Sequence, residues 1–459
     1  MAKTNLKVKA PAGYTHEGAV AHPVNPLQAL KRSVMSCLLW EGEFYEDGET
    51  IADRIKELVK ANKPADVSAL AIAARSSGKL RHVPLFLARE LARTAKGRIV
   101  GDTIYNVIQR ADELAEFLSI YWKDGKDQPL SAQVKLGLAR AFRKFSAYDL
   151  AKYNRDGAVK LRDVLFLSHA KPKDDAQAAI WKQLIEGKLT APDTWEVELS
   201  AGKDKKKTFD RLMAEKKLGG LAFLRNLRNM KDAGVSKKSV SEYAGVVNLA
   251  RVLPFRFVSA ARAVPGWEDV IEPMFLSALS TQTKLSGKTV VVVDVSGSMY
   301  GAGNISAKSD ITRVDAAGAL AAVLREICED SALYATAGDD RMRIHATGQV
   351  PSRRGFAVVD LFSKKGFVNE LGGGGIFLKQ CLDYIKEEEK TADRIVVFTD
   401  EQDCDTKCNP QTADAFGKRN YLINVASAKN GVGYGRWTHI DGFSESVVEF
   451  IREHEASQT

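Results

Sequence analysis

The stretch Lys288-Thr-Val-Val-Val-Val-Asp-Val-Ser-Gly-Ser-Met299 constrains this chain more than any other. Thr289 and Val290 to Val293 are β-branched, stiff at χ1 and suited to extended backbone. An apolar run of this kind, bounded by polar turns, reads as a buried strand. Asp294, Ser296 and Ser298 leave its carboxyl end, where ligand sites in open α/β sheets lie. A carboxylate and two hydroxyls at alternate positions can offer oxygen donors to one face of a hard divalent cation. Mg²⁺, which keeps part of its water shell, suits them best. The alternative is an ordinary polar turn in which Ser296 or Ser298 caps the next helix.

Beyond this stretch strands and helices alternate. A helix is expected over Asp315 to Asp330, a strand over Ala332 to Ala337 and a short edge strand over Arg343 to Thr347. A helix over Phe377 to Glu389 precedes a second apolar strand, Arg394 to Thr399, which runs straight into Asp400-Glu401. Tyr421 to Ala426 reads as a strand and Ser444 to Glu453 as a closing helix. Apolar strands alternating with helices indicate a parallel sheet covered on both faces. Asp294 and Asp400 then end strands on one edge and can converge on the same cation. Between them, Leu371-Gly-Gly-Gly-Gly-Ile376 allows close backbone approach before a helix, as an anion cradle or a plain hinge. It is not the phosphate-binding G-x-x-x-x-G-K-[ST] loop.

The part before Lys284 is different. Met1 to Pro26, with Pro11, Gly13, Gly18, Pro23 and Pro26, reads as an extended arm. Helical patterns then run almost unbroken to about Ser280. Ile104, Val107, Ile108, Ala111, Leu114, Ala115 and Leu118 step by three and four as on one helix face, and Val134 to Phe145 do likewise. Further helices fit residues 51–61, 66–76, 83–95, 159–168, 176–186, 207–216, 219–230, 237–249 and 267–280, separated by Gly and Pro. Short helices in pairs, without a crisp sequence repeat, suggest a HEAT-like stack curved into an arc or ring.

Charge divides at the same place. Residues 1–283 carry a net +13 and residues 284–459 a net −4, which suggests a polyanion as partner of the first part and a cation as that of the second. The basic residues cluster at Lys203, Lys205, Lys206 and Lys207, continuing through Arg211, Arg225, Arg228 and Lys231. Other sets lie between Arg75 and Arg98 and between Arg140 and Arg155, the latter including Lys152. Concentrated Lys and Arg on a helical scaffold suit phosphates. Phe142, Phe145, Tyr148 and Tyr153 offer faces for bases, or core. His169, at the end of the helix 159–168, is either a C-terminal cap favoured by the helix dipole or a contact to nucleic acid.

The sequence has no eighteen-residue apolar run. Its polar N-terminus has no secretory h-region, and the five sparse cysteines suit free thiols in a reducing cytoplasm. No Ser/His/acid set, H-E-x-x-H or paired-carboxylate pocket argues for bond-making chemistry, so no enzymatic activity is expected. A protein-interaction adaptor using a metal-dependent site is the main rival to RNA binding. A nuclease built on one cation with few carboxylates is a weaker one.

Both parts resemble one family. Asp294-Val-Ser-Gly-Ser-Met299 resembles the metal-ion-dependent adhesion site of a von Willebrand factor A domain, and Phe398-Thr-Asp-Glu401 its later acidic element. Arg162-Asp-Val-Leu-Phe-Leu-Ser-His-Ala-Lys-Pro172 and Leu221-Ala-Phe-Leu-Arg-Asn-Leu-Arg-Asn-Met230 are similar to segments of the Ro autoantigen family. Trp40-Glu-Gly-Glu-Phe-Tyr45 fits more loosely. The resemblance implies an α plus α/β chain: a TROVE HEAT-like helical-repeat ring at 1–283, closed by a Rossmann-like von Willebrand factor A domain at 284–459. It implies a monomeric ring without catalysis that binds Y-like noncoding RNA on a basic surface and 3′ ends of misfolded RNA in its cavity. An exoribonuclease such as polynucleotide phosphorylase is an implied partner in RNA quality control or processing. His169 and Lys152 match RNA-contacting residues of the family, and Arg155 matches with an offset of about one position. Asp294, Ser296, Ser298 and Asp400 match its metal ligands. The family's Thr ligand after a Gly-Gly pair has no counterpart in Gly372 to Gly375, which implies weakened Mg²⁺ binding.

Overall fold

The computed structural model describes residues 14, 25–35, 48–78, 80–125, 128–154, 156–249, 252, 255–301, 311–363, 371, 373–405, 419–425, 437–442 and 446–456. Most of the N-terminal arm, the Trp40–Tyr45 motif and Arg155 lie outside them. The chain divides into two compact units, one of Pro26–Val34 with Ala52–Lys203, the other of Met1–Asn25, Met35–Ile51 and Asp204–Thr459.

The first unit is helical. After α1 (Pro26–Met35) and α2 (Gly48–Ala61) come α3 (Pro64–Ser76), α4 (His82–Thr94), α5 (Arg98–Val107) and α6 (Asp112–Tyr121). They are followed by α7 (Ala132–Phe142), α8 (Ala147–Tyr153), α9 (Leu161–Ser168), α10 (Asp175–Glu186) and α11 (Trp195–Ser200). Local chemistry sets the starts. Pro64 opens α3, where its missing N–H is harmless. Ser131, Asp174 and Thr194 accept from the first-turn amides of α7, α10 and α11, and Ser146 with Asp149 forms a capping box on α8. Each helix packs on its near neighbours in sequence: α3 on α4 and α5, α5 on α7, and α7 on α9. Stacked helix pairs produce such short-range packing. At the crossing of α5 and α7 a side chain on Gly137 would lie 2.8 Å from the Gly101 carbonyl oxygen and 2.9 Å from Ile104 Cβ. The two backbones approach because neither carries bulk there.

One expected feature is wrong. The stepping residues Ile104 to Leu118 do not share one helix; α5 ends at Val107 and α6 begins at Asp112. The cause is Glu113, fully buried, whose Oε2 accepts from the amides of Gln109 (2.7 Å) and Arg110 (3.1 Å). Oε1 of the same carboxylate takes Arg75 at 2.6 Å. A side chain that satisfies loop amides makes a break as cheap as continued helix.

The second unit begins with α12 (Lys205–Ala214), α13 (Gly220–Asp232), α14 (Lys237–Ala244), α15 (Phe255–Ala263) and α16 (Glu268–Ser280). The helix expected to reach 249 ends at Ala244. Helices α15 and α16 pack on the elements that follow. Phe275 stacks on Phe356 at 5.5 Å, Glu272 accepts from the Phe356 amide at 2.8 Å, and Arg262 pairs with Asp360 at 2.9 Å. Secondary structure thus changes character at residue 284, while the compact division falls at 203/204.

The sheet has the order β3-β2-β1-β4-β5-β6. Its strands are β1 (Leu285–Asp294), β2 (Cys328–Asp339), β3 (Ile344–Gln349), β4 (Arg394–Thr399), β5 (Asn420–Asn424) and β6 (Thr438–Asp441). All neighbours are parallel except β2 and β3. The antiparallel β3 is the expected edge strand. β6, only Thr-His-Ile-Asp, is too short and too polar to announce itself. Among the described residues the helices of this part are α17 (Gly297–Gly301), α18 (Arg313–Ile327), α19 (Phe356–Leu361), α20 (Leu378–Glu388) and α21 (Ser446–Ala456). Val290 and Val292 form a core with Leu378, Leu382 and Ile385 of α20. Val291 and Val293 point to the other face, and α18 packs on β1 and β2. Cys328, Cys381 and Cys404 are buried free thiols.

Candidate functional site

β1 and β4 are parallel neighbours in the register Val293 to Phe398, so Asp294 and Asp400 leave the sheet on one edge. Both are buried. Asp294 Oδ1 accepts from the Ser296 amide at 2.8 Å and Oδ2 from the Thr399 hydroxyl at 2.7 Å. The Ser296 and Ser298 hydroxyls are 3.3 Å apart. Asp400 Oδ1 accepts from the Gln402 amide at 3.2 Å. Oδ2 of Asp400 is buried and takes no hydrogen bond among the described residues. Burial pushes the Asp294 carboxyl up to about 7, and the nearby Asp400 charge adds to the push. Asp294, Ser296, Ser298 and Asp400 thus lie at the same edge of the sheet.

The glycine stretch packs directly on the serine turn: the Gly297 amide donates to the Gly374 carbonyl at 2.8 Å. A Cβ at Gly374 would collide with the Asp340 carboxylate, and one at Gly375 with Cys404 Sγ. A side chain at either of these two positions would need Asp340 or Cys404 to move. The donor set still fits a hard cation in kind. All its atoms are oxygens, and one buried carboxylate oxygen lacks a hydrogen bond. Among the described residues no three His, Cys, Asp or Glu side chains gather as a metal cluster, so a cation here would lean on hydroxyls and water.

The acids after Asp400 serve the fold. Glu401, at φ 63°, pairs with His439 of β6. Asp403 accepts from the Leu378 amide (3.3 Å) at the α20 N-terminus, and Asp405 accepts from Gln380 (2.9 Å). Burial pushes the Asp403 carboxyl up to about 7. Sequence reasoning missed His439, because a lone histidine in a four-residue strand carries no motif.

Many basic residues of the helical parts are already paired. Arg75 holds Glu113, Arg81 holds Asp112 and Glu116, and Arg89 and Arg93 share Asp124. Arg140 pairs with Asp102 and lies 4.6 Å from the centre of the Tyr105 ring. Arg143 donates to the Lys171 carbonyl at 2.7 Å. Arg228 and Lys231 donate to the carbonyls of Ala263 (3.1 Å) and Pro265 (2.7 Å) at the end of α15. Lys203 pairs with Glu198 at 2.8 Å. The first-turn residues Lys205, Lys206 and Lys207 of α12 are exposed, as is Arg225 of α13. None of these four has an ion-pair partner among the described residues. Three lysines in the first turn of a helix oppose its dipole, so local stability does not explain them.

His169 is exposed and caps α9 in the left-handed conformation, φ 52° and ψ 37°. Both readings of it now have a geometry. Its amide bonds back to the helix, while its ring Nε2 lies 3.5 Å from Lys135 Nζ. It also borders a pocket of about 490 Å³ with Phe166, Lys171, Pro172, Trp181 and Lys182. Phe166 is 58% exposed, and sequence reasoning did not single it out. Lys152, in the last turn of α8, lies 5.9 and 5.7 Å from the ring centres of Tyr148 and Tyr153. Of the aromatics read as base platforms, Phe142 and Phe145 are core, whereas Tyr148 is exposed.

The chain combines stacked helices with a mostly parallel sheet that carries an acidic turn at its strand ends. Residues 182–294 match the TROVE domain model. The solved Ro (RSR) protein of Deinococcus radiodurans is similar in fold, with a TM-score of 0.62 at 17% identity. The match covers 95% of this chain and 100% of that one. Among the described residues no helix is long and apolar enough to cross a membrane.

Proposed function

We propose that this chain is a non-catalytic RNA-binding protein of a Ro-type ribonucleoprotein. It takes structured, Y-like noncoding RNA on its basic helices and the single-stranded 3′ ends of misfolded RNA beside His169. An exoribonuclease is the partner that would process such ends. The observation that carries the reading is the pocket at the end of α9. An exposed phenylalanine, an exposed histidine, Lys171 and Lys182 surround an apolar floor, with Glu186 4.0 Å from Lys182 Nζ, a mixture that can stack an unpaired base and hold its phosphate through Lys171. The TROVE match over 182–294 supports it. So do Lys205, Lys206, Lys207 and Arg225, which have no ion-pair partner among the described residues, with Lys152 as a further phosphate contact. Lys203, which pairs with Glu198, and Arg155 are further candidates for phosphate contact.

The strand-end turn has a separate part. Asp294, Ser296, Ser298 and Asp400 would hold Mg²⁺ weakly, and the ion would offer an open position to an acidic group of a protein partner. The test of the RNA reading uses His169→Ser with two RNAs, one a closed hairpin and one the same hairpin with a single-stranded 3′ tail. The variant is expected to lose the preference for the tailed RNA and keep its hairpin affinity. An unchanged preference contradicts the role given to His169.

A further inference from the structure

Helix α18 brings a third charge to the strand-end turn. Arg313 is its first residue, fixed by a capping box in which Thr312 Oγ1 accepts from the Asp315 amide at 3.1 Å and the Asp315 carboxylate accepts from the Thr312 amide at 3.1 Å. The Arg313 side chain turns inward and is 3% exposed. Its Nη1 lies 3.8 Å from Asp400 Oδ2, the oxygen that takes no hydrogen bond among the described residues. That separation is an ion pair without a hydrogen bond. A guanidinium stays charged at any ordinary pH, and a buried charge needs an opposite one beside it. The turn thus holds two buried carboxylates and a buried cation supplied by the protein itself.

We infer that Arg313 is the resident counter-charge of this site, and that a divalent cation binds there only against its repulsion. The glycine stretch works in the same direction. With Gly374 where a side-chain ligand could stand, and the Asp340 carboxylate against it, the site gives a metal fewer direct donors while already holding part of the charge the metal would supply. The Asp294 and Asp400 pair is then stable without metal, and the turn keeps its shape in metal-free buffer. A neutral side chain at 313 would create a tighter cation site rather than destroy one. This inference goes beyond RNA binding and does not depend on it.

Calorimetric titration of Mn²⁺ into the full chain tests it, with thermal melting in parallel. Wild type is expected to bind weakly, with a dissociation constant of about a millimolar or above and little change in Tm. Arg313→Gln is expected to bind about tenfold or more tightly and to gain Tm on adding Mn²⁺. Adding Asp400→Asn to that variant is expected to abolish the gain. Equal affinity in wild type and Arg313→Gln overturns the inference, and so does micromolar binding by wild type. Should Arg313→Gln fail to fold without metal, the double variant Arg313→Gln with Asp400→Asn is expected to regain stability relative to it, since the uncompensated Asp400 charge leaves. Its failure to recover also overturns the inference.

Discussion

Single buried charges govern the helical unit more than its surface charge does. Glu113 closes the α5–α6 corner with two backbone amides and Arg75. Glu113→Ala would leave Arg75 buried without that partner and open the corner, at a cost of about 3–5 kcal/mol. Urea unfolding of the variant checks this, and a change below about 1 kcal/mol contradicts it. Glu116, nearby, behaves in the opposite way. Burial outweighs Arg81 and pushes its carboxyl up to about 7. Its folded pKa then exceeds the unfolded one, so the folded state holds the proton more firmly. The stability this contributes is present in acid and is lost as pH rises through about 7. Glu116→Gln is therefore expected to melt with a flatter dependence on pH between about pH 5 and pH 8 than wild type. An unchanged slope in paired thermal melts contradicts it.

Elements are where the sequence was most and least legible. Four valines in a row and two aspartates at strand ends announced β1, β4 and their shared edge. Pro64, Ser131, Ser146 and Asp174 marked helix starts through local bonds. The α5–α6 break was hidden because Ile104 of α5, Ile108 and Ala111 of the connection and Leu118 of α6 are all buried, and burial periodicity does not register the loop. Arg313 was hidden for a related reason. At the start of a helix an arginine looks like surface charge, and its partner Asp400 arrives only through the sheet. The sequence also did not show that Arg75, Arg81, Arg89 and Arg93 are held by acids of α6 and of the turn after it. Close helix contact gives a further prediction. Gly137→Ala is expected to cost about 1–3 kcal/mol, because α5 and α7 must separate to admit the methyl group. Stability equal to wild type in denaturant melts would show that the crossing is looser than described.

At the scale of the whole chain, charge is divided rather than spread: +13 over residues 1–283 against −4 over 284–459. Part of the positive set is neutralised locally, whereas Lys205, Lys206, Lys207 and Arg225 have no ion-pair partner among the described residues. Affinity for RNA built on them must fall steeply with salt, since each phosphate contact releases counterions. The adaptor reading expects no such dependence on these lysines. The direct measurement is fluorescence anisotropy of a tailed hairpin RNA across a salt series, for wild type and for the triple variant Lys205→Glu, Lys206→Glu, Lys207→Glu. The account predicts a linear fall of log affinity with log salt for wild type, and weaker binding with a slope shallower by about 2 to 3 for the variant. Identical affinity and slope in the two proteins, or no RNA binding by wild type at low salt, would contradict it.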